Sequence, residues 1–176
     1  MPPPITEFEI RSEVDCDAGA IDAVLEAAFG QAGEANLVRS LRRNDHLTSS
    51  LVGLWKGELV GHIAFSPVKI EGEGRTDAGV GLAPVAVAPR CQSMGFGSEL
   101  VLAGLAECRR MSALFVVVLG EPAFYERFGF TRASAIGIQN EYGVDREFMV
   151  LELKPGALQN VRGLARYAEE FRSPGT

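Results

Sequence analysis

The chain has 176 residues, 47% of them hydrophobic and 23% charged, a composition that supports one packed core and lacks the polar, charge-rich signature of disorder. Its 17 basic and 23 acidic side chains leave a net charge of −6, which phosphate backbones repel, and no basic run exceeds Arg42-Arg43 or Arg109-Arg110, so nucleic acid is a poor partner. No apolar stretch approaches the roughly 20 residues that cross a bilayer, and the start MPPPITEFEI has neither the basic nor the apolar region of a signal peptide, so a cytoplasmic location is expected.

The cysteines, Cys16, Cys91 and Cys108, are odd in number and lack C-x-x-C spacing, which predicts neither a disulfide framework nor a zinc cage. With only His46 and His62 to add, no metal site is expected.

The proline-rich residues 1–4 are expected to be frayed, and residues 5–14 read as a strand with Phe8 and Ile10 on one face. Asp17 is a candidate N-cap for a helix whose stripe is Ile21, Val24, Leu25, Ala28 and Phe29. Gly30 and Gly33 punctuate it, and residues 34–43 predict a second helix with Leu37, Val38 and Leu41 inward. Residues 51–55 and 59–68 read as a hairpin turning at Lys56-Gly57-Glu58. A Gly- and charge-rich loop is expected at 71–77, then an apolar strand at 81–88 that ends at Pro89. A helix is predicted at 95–111, with Leu100, Val101, Leu105 and Cys108 at helical spacing.

Residues 113–120 (ALFVVVLG) form a continuous β-branched and aromatic run, the pattern of a strand covered on both faces. Strand, helix and strand then make a right-handed crossover with a parallel pair. A short helix at 123–128, strands at 131–139 and 147–153, and a C-terminal segment at 155–171 with weak helical periodicity in Leu158, Val161, Leu164 and Ala168 complete the reading. The fold class is α/β, a mixed sheet with helices on both faces, in a single domain spanning 1–176.

The chemistry is concentrated where the strand Val85, Ala86, Val87 runs through Pro89 into Gln92, Ser93, Met94, Gly95, Phe96 and Gly97 and so into a helix. A helix start leaves its first N–H groups unpaired at the positive end of the macrodipole, so it can hold an anion, and two glycines let a pyrophosphate approach the main chain. Leu100 stands where a G-x-G-x-x-G fingerprint needs its third glycine, and no Lys-Ser/Thr follows for a P-loop.

Gln92-x-x-Gly95-x-Gly97 after a Val-x-Val-x-Pro strand end resembles the acetyl-CoA pyrophosphate loop of the GNAT superfamily of N-acetyltransferases. The run Gly120-Glu121-Pro122-Ala123-Phe124-Tyr125-Glu126-Arg127-Phe128-Gly129-Phe130 is similar to that family's second motif, in which a short helix ends in Tyr-x-x-x-Gly-Phe. The resemblance covers residues 5–153 and leaves a C-terminal extension, 154–176, in which Arg162-Gly163 and the stretch from Tyr167 to Phe171 resemble the tail of one group of GNAT-like proteins. That tail is expected to pack over the acceptor end.

The resemblance implies a mostly antiparallel GNAT-like sheet with one splayed parallel pair, and direct transfer of acetyl from acetyl-CoA, as co-substrate, to a primary amine of a small molecule or peptide. Val85, Ala86 and Val87 would pair with the pantetheine arm, and the amides of Gln92, Ser93, Met94, Gly95, Phe96 and Gly97 would hold the pyrophosphate. Tyr125 would be the general acid toward the leaving thiolate, since a phenol of pKa about 10 stays protonated where a thiol near 8.5 begins to ionise. Glu121 is the candidate base and His62 the second; the ordinary readings are a solvated strand-end carboxylate and a hydrogen-bonded strand histidine. Cys91 lies where a helix start could activate a thiol, but no partner is apparent; Trp55 reads as packing, and Phe124, Phe128 and Phe130 as a cluster seating the short helix.

The alternatives are a non-catalytic acyl-CoA-binding or sensing module and an acyltransferase using longer chains or an acyl-carrier protein. The acceptor is expected between residues 29–47 and the C-terminal strands, with a mild electrostatic bias toward a cationic amine. Exposed strand edges could pair two copies into a homodimer.

Overall fold

The computed structural model describes residues 7–172. Strand β1 (Phe8–Ser12) is followed by helices α1 (Ala18–Phe29) and α2 (Gly33–Arg43), then by strands β2 (Ser49–Trp55), β3 (Glu58–Glu73) and β4 (Thr76–Val87). Helix α3 (Phe96–Arg110), strand β5 (Phe115–Leu119), helix α4 (Pro122–Tyr125) and strands β6 (Thr131–Arg132), β7 (Ile138–Asn140), β8 (Phe148–Glu152) and β9 (Arg162–Arg166) complete it. The sheet runs β1-β2-β3-β4-β5-β8-β6, and β9 joins β3 to β7. Pairing is antiparallel from β1 to β4 and between β5 and β8, with β4–β5 parallel as expected.

Helices cover both faces because the strands alternate. Leu51, Ile63, Phe65, Val80, Leu82, Val116 and Val118 pack against Leu100, Val101, Leu105 and Cys108 of α3. Val52 and Ala86, on the other face, pack against Ile21, Val24 and Leu25 of α1 and Ala35 and Val38 of α2. The third cluster, around Ile70, Phe115, Val117, Phe148 and Ala165, is closed by the C-terminal segment instead of a helix.

Several expectations are corrected. The start of the first strand, at 5 and 6, and residues 1–4 lie outside the described residues, as do 173–176 of the extension. Asp17 does not cap α1 with its side chain; its carboxylate turns back to accept from Val14 N at 2.8 Å and from Arg11 Nη1 at 2.7 Å. Phe29 is exposed at the end of α1, and Leu37 is half-buried where Ala35 takes the inward place. The loop expected at 71–77 is the tip of a long β3–β4 hairpin, because β9 supplies a second partner for β3 from Lys69↔Arg166 to Glu73↔Arg162. The strand expected at 131–139 breaks into β6, a 3-10 turn at Ala133–Ile136 and β7.

The C-terminal segment is not helical. Val161, Ala165 and Tyr167 are buried at strand spacing, with Gly163 at the intervening inward place, and a 3-10 turn follows at Glu169–Arg172. No helix among the described residues is long and apolar enough to cross a membrane.

Candidate functional site

The site is built where β4 leaves β5. The parallel register ends at Leu82↔Val118, yet β4 continues to Val87. In the antiparallel register, Ile63 faces Val85 and Phe65 faces Leu82. Ala64 is therefore opposed by both Ala83 and Pro84, a β-bulge at the point of divergence. Past it, Ala88 N donates to Val60 O at 2.7 Å. Alternation then turns Ala86 toward β3 and the main-chain groups of Val85 and Val87 toward the edge that β5 has vacated. This is a short open strand edge.

The loop after β4 turns through Ser93, at φ 65°, and Gly95, at φ 88°, into α3. The first bond inside the helix runs from Glu99 N to Gly95 O at 3.2 Å. The amides of Phe96, Gly97 and Ser98 therefore precede it and have no acceptor in the helix. A Cβ built on Gly95 would meet nothing within 4 Å, so the space before these amides is open. Aromatic packing fixes the helix start: the Phe96 ring stacks on Phe8 at 4.0 Å and 4°, against Trp55, with Cys91 buried beside it. Gln92 Nε2 donates to Val87 O at 3.1 Å, tying the loop to the open edge.

A cavity of about 370 Å³ lies over this turn, lined by Val87, Gln92, Ser93, Gly95 and Gly97 and walled by Phe124 and Arg127. Arg127 was missed by sequence reasoning. Its Nη2 donates to Ser98 Oγ at 2.6 Å, and its guanidinium lies over the Phe124 ring at 4.9 Å, which aims a fixed cation at the helix start. The signal was its place in the short-helix run, two residues after Tyr125 and three after Phe124, and thus within one turn of both. A dipole end, open amides and one arginine form an anion cradle, and the open β4 edge continues it. A diphosphate on an extended amide-bearing arm fits this donor set.

The structure brings together Val87, Gln92, Ser93, Gly95, Phe96 and Gly97 at one cavity, with the main chain of Val85 on the same edge. Met94 is exposed beside them, and the Ala86 side chain is buried on the α1 face. Tyr125 is 6% exposed and wedged between Phe124, Phe128 and Phe130. The absent Cβ of Gly120 makes room for its ring, and burial pushes its phenol up to about 12. The short helix there is α4 followed by a 3-10 turn at Glu126–Phe128.

Glu121 is 65% exposed at the start of α4, 3.9 Å from Arg146, and lines a cavity other than the cradle. His62 is a correction. It is fully buried between Val52 and Ala86, and desolvation lowers its pKa to about 4. Ser50 Oγ donates to Glu13 Oε2 at 2.8 Å, so its contact at 2.9 Å with His62 Nε2 requires that nitrogen to be the donor. A fully buried imidazole of such low basicity is a structural neutral group, not a base at neutral pH.

Comparisons with known proteins identify the family and the fold. The model of the acetyltransferase (GNAT) domain family matches residues 9–133. The uncharacterized N-acetyltransferase YhbS of Escherichia coli is 39% identical over 164 residues, which cover 92% of this chain and 97% of that protein. The crystal structure of YhbS from Escherichia coli in complex with CoA superimposes with a TM-score of 0.91 at 36% identity, covering 99% of this chain and 97% of the other. A GNAT family acetyltransferase from Brucella melitensis, solved in complex with acetyl-CoA, gives a TM-score of 0.78 at 36% identity over 93% of this chain and 97% of the other.

Proposed function

Since the chain belongs to the GNAT acetyltransferase family, we propose that it binds acetyl-CoA along the α3 cradle and the open β4 edge and acetylates a primary amine of a small molecule. The observation that carries this is the continuity of the two donor sets: open amides with Arg127 for a diphosphate, then Val87 and Val85 main chain for an amide-bearing arm. The solved complexes of YhbS with CoA and of the Brucella melitensis protein with acetyl-CoA support the same reading.

Bound acetyl-CoA supplies a thioester whose acyl carbon is the electrophile. The chain's part is positional and electrostatic. The amides of Phe96, Gly97 and Ser98 and the Arg127 guanidinium hold negative charge at the turn. The Val85 and Val87 main chain fixes an extended arm in the fork, which restricts the reacting groups to one approach. Tyr125 Oη keeps its proton throughout the neutral range because burial disfavours the phenolate; it is thereby a weaker acid, but it is always available to donate a hydrogen bond to the departing thiolate. No side chain is assigned as base, and an amine that arrives uncharged needs none before attack.

Two substitutions test the reading. Gly95→Glu places a carboxylate in the cradle at a left-handed backbone position and is expected to abolish acetyl-CoA binding by calorimetry while the far-ultraviolet spectrum is unchanged; retained affinity would refute the cradle. Tyr125→Phe is expected to lower kcat about 10²-fold or more with little change in acetyl-CoA affinity, the effect of losing a proton donor. A sensing module would show the binding without release of free CoA in the presence of amines.

A further inference from the structure

The fork between β4 and β5 carries a second recess, on the face away from α3. Its floor is Leu82, the last residue paired with β5, together with Ala83 and Leu119. Its walls are Tyr142, Tyr167 and Phe171, from the segment after β7 and from the C-terminal tail. The side is fixed by Gly81, where a Cβ would lie 2.7 Å from Tyr167 Cε1, whereas the next residue, Leu82, packs toward α3. The cradle and this recess therefore approach one fork from opposite faces.

Two properties of the recess limit what it can hold. Its volume is about 190 Å³, below the roughly 300–1,000 Å³ typical of pockets for drug-sized ligands, so it takes one ring or a branched alkyl group. None of the residues that line it carries a charge either. Glu141, the nearest acid in sequence to Tyr142, accepts from Arg166 Nη1 at 2.8 Å and Arg172 Nη2 at 3.0 Å, and from Tyr167 N at 3.4 Å. What remains is three rings, with centroids 5.9 Å apart for Tyr142 and Tyr167 and 5.1 Å for Tyr167 and Phe171, tilted by 54° and 53°. Tyr142 is 42% exposed and forms the open side.

We propose that this recess seats the hydrocarbon body of the acceptor, a compact arylalkyl- or branched alkylamine with no charge besides its amine, and that Tyr142 and Phe171 determine that choice. The assignment rests on the acetyltransferase reading above. The aromatic walls bury an apolar body, and a lining without a carboxylate favours the uncharged amine over the ammonium ion. That is the nucleophilic form, in keeping with the absence of an assigned base. The rings of the C-terminal tail thus act as specificity residues at the fork.

The test is equilibrium binding of 2-phenylethylamine to the full chain, by calorimetry, without an acyl donor and again with CoA bound. Putrescine and glycine serve as charged comparators. Saturable binding of 2-phenylethylamine at least tenfold tighter than of either comparator is expected, weakened tenfold or more by Tyr142→Ala and by Phe171→Ala, with acetyl-CoA affinity unchanged in both. Tighter binding of putrescine or glycine, no saturable binding of 2-phenylethylamine in either condition, or full affinity in both variants overturns the recess. Failure of the wild-type chain to bind acetyl-CoA would instead overturn the reading on which it rests.

Discussion

The His62 side chain illustrates how a single residue couples packing to pH. Its Nε2 proton is committed to Ser50, which is in turn committed to Glu13, whose carboxylate accepts from Arg42 Nε at 3.0 Å and Nη2 at 2.9 Å. Burial disfavours the imidazolium, with opposing influences from Glu13 and Arg42, so the folded pKa of about 4 lies below the unfolded value of 6.5. In that interval the unfolded chain binds the proton that the folded one refuses, and stability falls as pH drops. Between pH 7 and pH 5 this amounts to about 2 kcal/mol. Urea unfolding at the two values should show that loss in the wild type and little of it in His62→Leu; equal slopes would mean that the imidazole becomes protonated within the fold.

At the level of elements, most of the central architecture was legible because the period of the apolar residues matched their burial. α3 and β5 fall within a residue or two of expectation, and the hairpin turns at Lys56 and Gly57 with positive φ. The cradle was legible for the same reason: its glycines interrupt a strong strand and a strong helix. The C-terminal strand was not, and Gly163 is the reason. It occupies the inward place between Val161 and Ala165, so the alternation that marks a strand loses its middle member, while the spacing of Leu158, Val161, Leu164 and Ala168 mimics a helix. Glycine is required there because φ is 145° and a Cβ would run into the Glu71 carbonyl across the pair. Gly163→Ala is expected to cost more than about 2 kcal/mol, and hydrogen exchange should show the loss first in the β9 amides; unchanged protection would contradict it. The recess was illegible for another reason, since it depends on segments brought together by the fold; for Arg127 the spacing from Phe124 was visible, but its partner Ser98 lies 29 residues away.

Across the whole molecule, buried carboxylates fasten the tail to the body. Glu170 accepts from Asn44 Nδ2 at 2.8 Å and contacts His46 Nδ1 at 2.7 Å, linking the last turn to the end of α2. Burial alone would raise the pKa of Glu170, but the bonds from Asn44, its own backbone and His46 outweigh it and the net shift is downward. A folded pKa below the unfolded value near 4.5 means that this support is complete above that value and disappears as pH falls through the folded one. Glu170→Gln should lower stability at pH 7 by about 1–2 kcal/mol and make the acid limb of unfolding shallower; an unaltered limb would show that the tail is held by its rings alone.

The surplus residue at Ala83-Pro84 sets the phase of everything after it. Val80 and Leu82 point toward α3 from even positions, whereas Val85 and Val87 do so from odd ones. Deleting either Ala83 or Pro84 would restore plain alternation opposite Ala64 with Val85 and Val87 still facing α3, so what would be lost is the local bend and not the inner face. The divergence of β4 from β5 therefore depends on one added residue, and among homologues that retain the fork its presence opposite Ala64 should be held more tightly than its identity.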